Sequence, residues 1–202
     1  MTKLYPEFFR RTDESPDALF YQHPRFVSHI DAQTSEEAKR LYDELLPAGG
    51  RILDLMASYH SHLSDKFAHV AGLGLNWEEL EHNPSIHEHI IHDLNKEVKL
   101  PLEDNSLDGV VCTVSVQYMV HPIDTFTEIA RSLKPGAPFI VTFSNRMFPT
   151  KAVLAWRSSD DAAHVRLVRS YFEQIKDFSS TYSQHYCPEE GDPLYAVWAY
   201  KQ

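Results

Sequence analysis

The chain has 202 residues, and 19 Lys and Arg against 29 Asp and Glu give a formal net charge of −10. Neutralising nucleic-acid phosphates requires clustered basic residues, so this balance argues against bulk nucleic-acid binding. Hydrophobic residues make up 43% of the chain, which is enough to build the core of one domain. No apolar run approaches the roughly 18–20 residues that span a bilayer, and the two cysteines make no disulfide framework. We therefore expect a cytoplasmic protein that makes no membrane contact.

The first third of the chain divides into an extension and the start of a folded domain. Residues 1–33 are irregular and rich in aromatic side chains, which predicts an extension laid over a core as a lid. Thr34 followed by Glu37 has the spacing of a helix N-terminus, and the helix that it begins should end at Pro47. Residues 34–202 are accordingly predicted to form a single α/β domain.

Strand and helix signals then alternate along the chain. A helix is predicted to begin after Asn76, and a second covers residues 123–133. Because strands that alternate with helices pair in parallel through right-handed crossovers, the pattern predicts a parallel sheet. Runs with strand character lie at 51–55, 69–74, 88–92, 108–116 and 137–144.

The end of the chain breaks this alternation. A helical pattern from about residue 161 to 176 is followed by strand-like runs at 178–186 and 194–200. A turn at 190–193 separates the two runs, which favours an antiparallel hairpin at one edge of the sheet.

Five parallel strands followed by an antiparallel pair resemble the class I S-adenosylmethionine-dependent methyltransferases, of the methyltransferase type 11 kind. The resemblance is carried by ILDL at 52–55, DLNKEVKLPLEDNSLDGVV at 93–111 and HPIDTFTEIARSLKPGAPFIVTFSN at 121–145. It implies a Rossmann-like, doubly wound sheet of strand order 3-2-1-4-5-7-6 with strand 7 antiparallel. It also implies S-adenosylmethionine as the cofactor.

Three further motifs are similar to a narrower methyltransferase-like branch found in plants and bacteria. They are FYQHPRFVSHID at 20–31, LDLMASYHSHLS at 53–64 and GLNWEELEHNP at 74–84. The second motif of that branch reads roughly LDLMSSWxSHLP. The branch label specifies no substrate.

The chain departs from the larger family at the first strand. Met56, Ser58 and His60 stand where the family has the three glycines of the turn that approaches the cofactor. Gly74 stands where the family has an acid that accepts hydrogen bonds from the ribose hydroxyls, a contact typically worth roughly 1.5–3 kcal/mol. Asn76 is either a substitute acceptor or simply the N-cap of the next helix.

The resemblance implies a set of cofactor-contacting residues. Asp54 would organise the turn at the amino-acid end of the cofactor, and Asp93 would accept from the adenine amino group. Arg25 would pair with the cofactor carboxylate, because a guanidinium fits a carboxylate bidentately; the alternative is a surface ion pair with Asp31 or another acid. The full set is Arg25, Asp54, Met56, Ala57, Ser58, Gly74, Leu75, Asn76, Asp93, Leu94 and Ser115.

No recognisable catalytic motif accompanies these residues. Methyl transfer is an in-line displacement, so a base is needed only where the acceptor must lose a proton. Tyr21, His29 and Tyr118 are the candidates, with packing beneath the extension as the alternative role for Tyr118. His60 and His62 are expected at a helix start, where residues two apart cannot both face one site.

The 12 histidines raise the question of a metal site. His87 and His89 would share one face of a strand, yet no third ligand is evident and no cysteine is near. We therefore predict surface histidines and no metal.

The sequence thus predicts an S-adenosylmethionine-dependent methyltransferase that acts on an unidentified small polar acceptor. The missing glycines and ribose acid leave two alternatives open. One is a methyltransferase-like binding or regulatory protein without catalysis, and the other is an enzyme that uses the same crevice for another ligand. The sequence leaves the oligomeric state open.

Overall fold

Seven strands form one sheet in the computed structural model, which describes residues 4–202. The strand order is β3-β2-β1-β4-β5-β7-β6, with parallel pairing from β3 to β5 and antiparallel pairing of β7 with both β5 and β6. This confirms the predicted Rossmann-like, doubly wound topology. The strands are β1 (Arg51–Leu55), β2 (His69–Gly74), β3 (Glu88–Ile91), β4 (Gly109–Thr113), β5 (Pro138–Phe143), β6 (Tyr182–Tyr186) and β7 (Leu194–Tyr200).

Six α-helices accompany the sheet within residues 4–202, and none of these is long and apolar enough to cross a membrane. They are α1 (Asp17–Phe20), α2 (Ala32–Leu45), α3 (Trp77–Glu81), α4 (Pro122–Ser132), α5 (Leu154–Arg157) and α6 (Asp161–Glu173).

The core has one layer on each face of the sheet. Successive strand residues point to opposite faces, so Val110 of β4 packs with Phe126 of α4 while Val111 packs with Tyr42 of α2. All four side chains are at most 1% exposed. Burial on both faces explains why the inner strands are almost continuously apolar.

Helix α2 begins earlier than the sequence indicated. Its N-cap is Asp31, whose Oδ1 accepts a hydrogen bond from the Thr34 backbone N–H at 2.8 Å. Thr34 instead lies buried inside the helix and donates from Oγ1 to the Asp192 carbonyl at 2.6 Å. Both residue types make good N-caps, and the tertiary contact with Asp192 decides between them.

The helix expected directly after β1 is absent, because residues 56–68, all described, are irregular. Met56 enters the left-handed region at φ 57°, and the Ala57 N–H then donates to the Leu73 carbonyl of β2 at 2.7 Å. The chain therefore crosses over the end of β2 instead of turning into a helix. The helix prediction was wrong, and the observed path of residues 56–68 forms part of the site described below.

Candidate ligand-binding site

A cavity of about 310 Å³ opens at the carboxyl ends of β1 to β4, where strand order reverses between β1 and β4. This is the position at which open α/β sheets bind ligands. The extension covers it from the other side with Tyr21, Arg25, Ser28 and His29.

Every residue that the resemblance assigned to the cofactor lines this one cavity, and so do the three catalytic candidates. The fourteen positions come from five separate stretches of the chain. Their convergence follows from the carboxyl-end rule for parallel strands, together with the path of the extension. The residues are Tyr21, Arg25, His29, Asp54, Met56, Ala57, Ser58, Gly74, Leu75, Asn76, Asp93, Leu94, Ser115 and Tyr118.

Two strained residues lie at the ends of the adjacent strands β1 and β4. Met56 has φ 57° and Val114 has φ 50°, although left-handed backbone costs a residue with a side chain roughly 1–2 kcal/mol. The Ser115 hydroxyl lies between them, 2.8 Å from the Thr113 carbonyl and 3.5 Å from that of Met56. Strain of this kind concentrates at ligand sites, and both residues line the cavity.

Gly74 ends β2 at a point where no side chain fits. A Cβ atom built there would lie 2.3 Å from the Ala57 carbonyl oxygen, because the loop after β1 crosses directly above. An acid at this position would therefore be compatible only with a different path of residues 56–68.

Asp54 is buried beneath the cavity with 4% of its surface exposed, and its carboxylate accepts a hydrogen bond from the Ser61 hydroxyl. Burial raises the pKa of Asp54 to about 7, against the opposing effect of the Ser61 hydrogen bond. Ser61 in turn accepts from Asn83 Nδ2 at 2.8 Å. Asp54 thus anchors the loop after β1 from below.

Asn76 is the N-cap of α3, since its Oδ1 accepts from the Glu79 backbone N–H at 3.1 Å. Its Nδ2 donates to the Tyr21 carbonyl at 2.9 Å, which ties the extension to α3. The sequence allowed Asn76 to be a ribose acceptor or a helix N-cap, and the structure shows it as the N-cap of α3.

Glu79 lines the cavity but was assigned no functional role from the sequence. Its Oε1 accepts from the Arg25 backbone N–H at 2.7 Å and its Oε2 from the Ser58 hydroxyl at 2.6 Å. Glu79 lies three residues after Asn76, which is the spacing of a capping residue. Because that role explains the residue, the sequence did not indicate that Glu79 also lines the cavity.

The Arg25 guanidinium lies among aromatic rings. Its Cζ is 4.7 Å from the Phe20 ring centroid and 5.4 Å from that of Phe148, and Nη2 donates to the Phe20 carbonyl at 2.8 Å. Nη1 is buried and has no hydrogen-bond partner among the described residues. The Asp31 carboxylate caps α2, and the contacts found for the Arg25 guanidinium are with Phe20, Tyr21 and Phe148.

His60 and His62 both line the cavity, contrary to the expectation that only one could face it. The reason is the missing helix. The Ser35 hydroxyl lies 2.6 Å from His62 Nδ1 and 3.2 Å from His60 Nε2. Burial, with His60 and His29 nearby, lowers the pKa of His62 to about 3, and burial also lowers the pKa of His29. The His62 and His29 rings are therefore neutral at pH 7.

The two tyrosines remain protonated. Burial raises the pKa of Tyr21, with Tyr118 and Asp17 adding to the effect, and burial likewise raises the pKa of Tyr118. Tyr118 Oη accepts from the Phe148 backbone N–H at 2.8 Å, and the Tyr118 ring stacks on the Phe148 ring. At neutral pH these hydroxyls can donate hydrogen bonds but are poor bases.

The cavity edge at β3 is formed by Asp93, whose Oδ1 accepts from the Asn95 N–H at 3.0 Å, and by the buried Leu94. Asn95 Nδ2 donates to Asp17 at 2.7 Å and to the Tyr118 carbonyl at 2.9 Å. Asn95 thereby joins the sheet to the extension, a role that the sequence did not indicate.

A buried ion network holds one end of the extension. Lys151 has no exposed surface, and its Nζ lies 3.1 Å from Asp17 Oδ1 and 2.7 Å from the Ser15 carbonyl. Arg11 Nη1 donates to both oxygens of Asp17 at 2.7 and 2.8 Å. Burial alone would raise the pKa of Asp17, but hydrogen bonds from Asn95, Arg11 and Lys151 lower it overall, so the carboxylate stays charged.

A second tether holds the other end. The Asp31 N–H donates to Asp192 Oδ2 at 3.0 Å, and the Asp192 N–H donates back to Asp31 Oδ2 at 2.5 Å. Arg146, which lines the cavity, donates from Nε to Asp192 Oδ1 at 2.7 Å.

The histidines around β3 serve local structure. His87 Nδ1 accepts from the Val70 N–H at 3.1 Å, His92 Nε2 lies 2.7 Å from the Glu97 carbonyl, and His89 meets Trp77 edge-on. Across residues 4–202, no three His, Cys, Asp or Glu side chains are grouped so as to hold a metal ion.

The strand order and the antiparallel β7 define the fold of the class I methyltransferases. A solved SAM-dependent methyltransferase from Archaeoglobus fulgidus matches with a TM-score of 0.64 at 15% identity, over 91% of this chain and 98% of its own. Residues 50–141 match a methyltransferase domain family.

Two curated relatives match shorter stretches. The biotin biosynthesis bifunctional protein BioHC of Teredinibacter turnerae is 35% identical over 77 residues, which are 38% of this chain and 13% of that protein. The malonyl-(acyl-carrier protein) O-methyltransferase of a Marinomonas species is 31% identical over 67 residues, which are 33% of this chain and 25% of that protein. The chain therefore matches only a small part of each relative.

Proposed function

We propose that this chain is a cytoplasmic S-adenosylmethionine-dependent methyltransferase that acts on a small polar acceptor. The observation that carries the proposal is the convergence of all eleven expected cofactor residues on one cavity at the carboxyl ends of the strands. The fold and the methyltransferase domain match at residues 50–141 support it.

The polar groups of the cavity fit the parts of this cofactor. Asp93 is an acceptor suited to the adenine amino group, and the backbone N–H of Leu94 lies beside it. Arg25 Nη1, buried and unpartnered, offers a charged donor to the amino-acid carboxylate. Asp54 lies under the turn that would hold the amino-acid end.

When bound, S-adenosylmethionine would supply an electrophilic methyl group. The chain's own residues then have to orient the acceptor, exclude water and, for an acceptor that carries a proton, receive that proton. His29 can accept a proton, because burial lowers its pKa and leaves the imidazole neutral. Tyr21 and Tyr118 cannot readily do so, because burial raises their pKa values and keeps them protonated. We assign the general-base role to His29 and hydrogen-bond donation to the two tyrosines.

Calorimetry tests the proposal. The purified protein should bind S-adenosylmethionine and S-adenosylhomocysteine at sub-millimolar concentration, and Arg25→Ala should weaken both by about tenfold or more, since it removes a charged hydrogen bond. Arg166→Ala, at an exposed position on α6, is the matched control and should bind normally. No heat with either ligand would overturn the proposal.

The path of residues 56–68 favours one second candidate, a binding or regulatory protein without catalysis. The turn after β1 lacks the family glycines and the helix, which are the parts that bring backbone close to the cofactor. An acceptor screen separates the two functions: binding without methyl transfer to any small polar acceptor would favour the second.

A further inference from the structure

The end of β2 presents no polar side chain of its own to a ligand. Gly74 cannot be replaced by a larger residue without displacing the Ala57 carbonyl, 2.3 Å from the position of a Cβ atom. Any nucleoside held at this edge needs a different acceptor for its ribose hydroxyls.

Asn76 has at most one free acceptor position, on Oδ1, so it cannot accept from two neighbouring hydroxyls. Its Oδ1 is engaged by the Glu79 N–H and its Nδ2 by the Tyr21 carbonyl, so both ends of the amide already hold structural partners. Turning the amide toward a ligand would uncap α3 and release the extension.

Glu79, in the first turn of α3, places a carboxylate on the cavity beside this edge. It is 6% exposed and fixed from two sides, by Ser58 Oγ on Oε2 and by the Arg25 N–H on Oε1. An ionised carboxylate accepts about four hydrogen bonds, so capacity remains on both oxygens. Two parallel acceptors on one rigid group match the two neighbouring hydroxyls of a ribose.

We propose that Glu79 binds the vicinal hydroxyls of the cofactor ribose, replacing the acid that the course of residues 56–68 excludes from Gly74. This rests on the proposed function. Because the same carboxylate accepts from the Arg25 backbone, Glu79 also connects the ligand to the extension.

The test compares S-adenosylhomocysteine with its 2′-deoxy and 3′-deoxy analogues by calorimetry on the full chain. The wild-type protein should bind the parent ligand about tenfold or more tightly than either analogue. In Glu79→Gln this preference should shrink to less than about threefold, because the charged acceptor is gone. Glu78→Gln, at the exposed neighbouring position, should keep the full preference.

The outcomes are distinct. An equal loss of affinity for all three ligands in Glu79→Gln would mean that Glu79 only supports the loop and would overturn the assignment, as would an unchanged preference. Failure of the wild-type protein to bind any of them would overturn the proposed function and this assignment with it. Should Glu79→Gln not fold, Glu79→Asp, which keeps the charge on a shorter side chain, should show an intermediate preference.

Discussion

The two walls of the cavity are held in place by different forces. The sheet wall, residues 54–62 with the end of β2, is held by close backbone packing of Ala57 on Gly74 and by hydrogen bonds such as that from Ser61 to Asp54. The two ends of the extension wall, residues 4–31, are held by ion pairs and hydrogen bonds around Lys151 and around Asp192. Ion pairs thus contribute to the extension wall, whereas close backbone packing contributes to the sheet wall.

Because of this difference, the stability of the sheet wall and the access of ligands past the extension wall can change independently. Closely packed interior groups resist displacement, so we expect the sheet wall to be present whenever the domain is folded. Charged tethers can be broken singly by a substitution or a change of pH. The extension wall should therefore respond to changes that leave the sheet wall intact.

The largest effect is expected from Lys151→Met. The substitution removes a fully buried cation from Asp17 and Asp13, and breaking a buried pair typically costs about 3–5 kcal/mol. Urea denaturation should show this loss in the free energy of unfolding. Lys96→Met, at an exposed position, should change it by less than about 0.5 kcal/mol. A loss below about 1 kcal/mol for Lys151→Met would contradict the role of charge in the extension wall.

A comparable effect should follow from pH at Asp54. Its folded pKa is about 7 against an ordinary value of 3.8, so the folded state binds more protons than the unfolded state between these values. The free energy of unfolding should fall as pH rises from about 4 to about 7 and level off above, by at most about 4 kcal/mol from this group.

Asp54→Asn should remove that slope while keeping an oxygen that accepts from Ser61. The variant should gain stability over the wild type between pH 5 and pH 8, as measured by urea denaturation at each pH. Parallel pH profiles for the two proteins would show that Asp54 is not held protonated.

Gly74→Ala tests the sheet wall directly. Its Cβ would lie 2.3 Å from backbone of Ala57, so the loop must shift, at a cost of about 1–3 kcal/mol. Gly72→Ala on the same strand meets the Ile86 side chain, with Cδ1 at 2.2 Å and Cγ1 at 2.9 Å, and no backbone within the three nearest contacts, so it should cost less. Equal losses in thermal denaturation would argue against a fixed loop.

The smallest effect is expected at Met56, where Met56→Gly should be more stable than Met56→Ala by about 1 kcal/mol. Both variants lose the same side-chain contacts, but only alanine bears the cost of φ 57°. At ordinary positions the order is reversed, because glycine has the more flexible unfolded state. Denaturation of the two variants side by side checks the sign.

The sequence was sufficient for the sheet and for the place of the site. Apolar runs such as 51–55 and 137–144 have the length of buried strands, and the resemblance supplied the strand order and the candidate residues. Because the carboxyl ends of parallel strands meet at one edge of the sheet, the fourteen candidates lie around one cavity.

The course of residues 56–68 could not be predicted from the sequence. A helix was expected there, and the local pattern of residues does not indicate that the chain crosses over β2. Phe148 and Asn95 were missed for a related reason. Each acts through partners distant in the chain, such as Asp17, and a residue's own neighbours carry no record of such contacts. The capping residue Glu79 was recognised only for its local role.

The missing helix after β1 also bears on which ligands this crevice refuses. Dinucleotide-binding members of the doubly wound class hold a pyrophosphate on the N–H groups and positive dipole end of the helix at that point. Residues 56–68, all described, offer no such helix, and the acids Asp54 and Glu79 stand nearby instead. Under the proposed function we therefore expect the crevice to bind phosphate-bridged nucleotides weakly, because it lacks the helix N-terminus that holds their pyrophosphate.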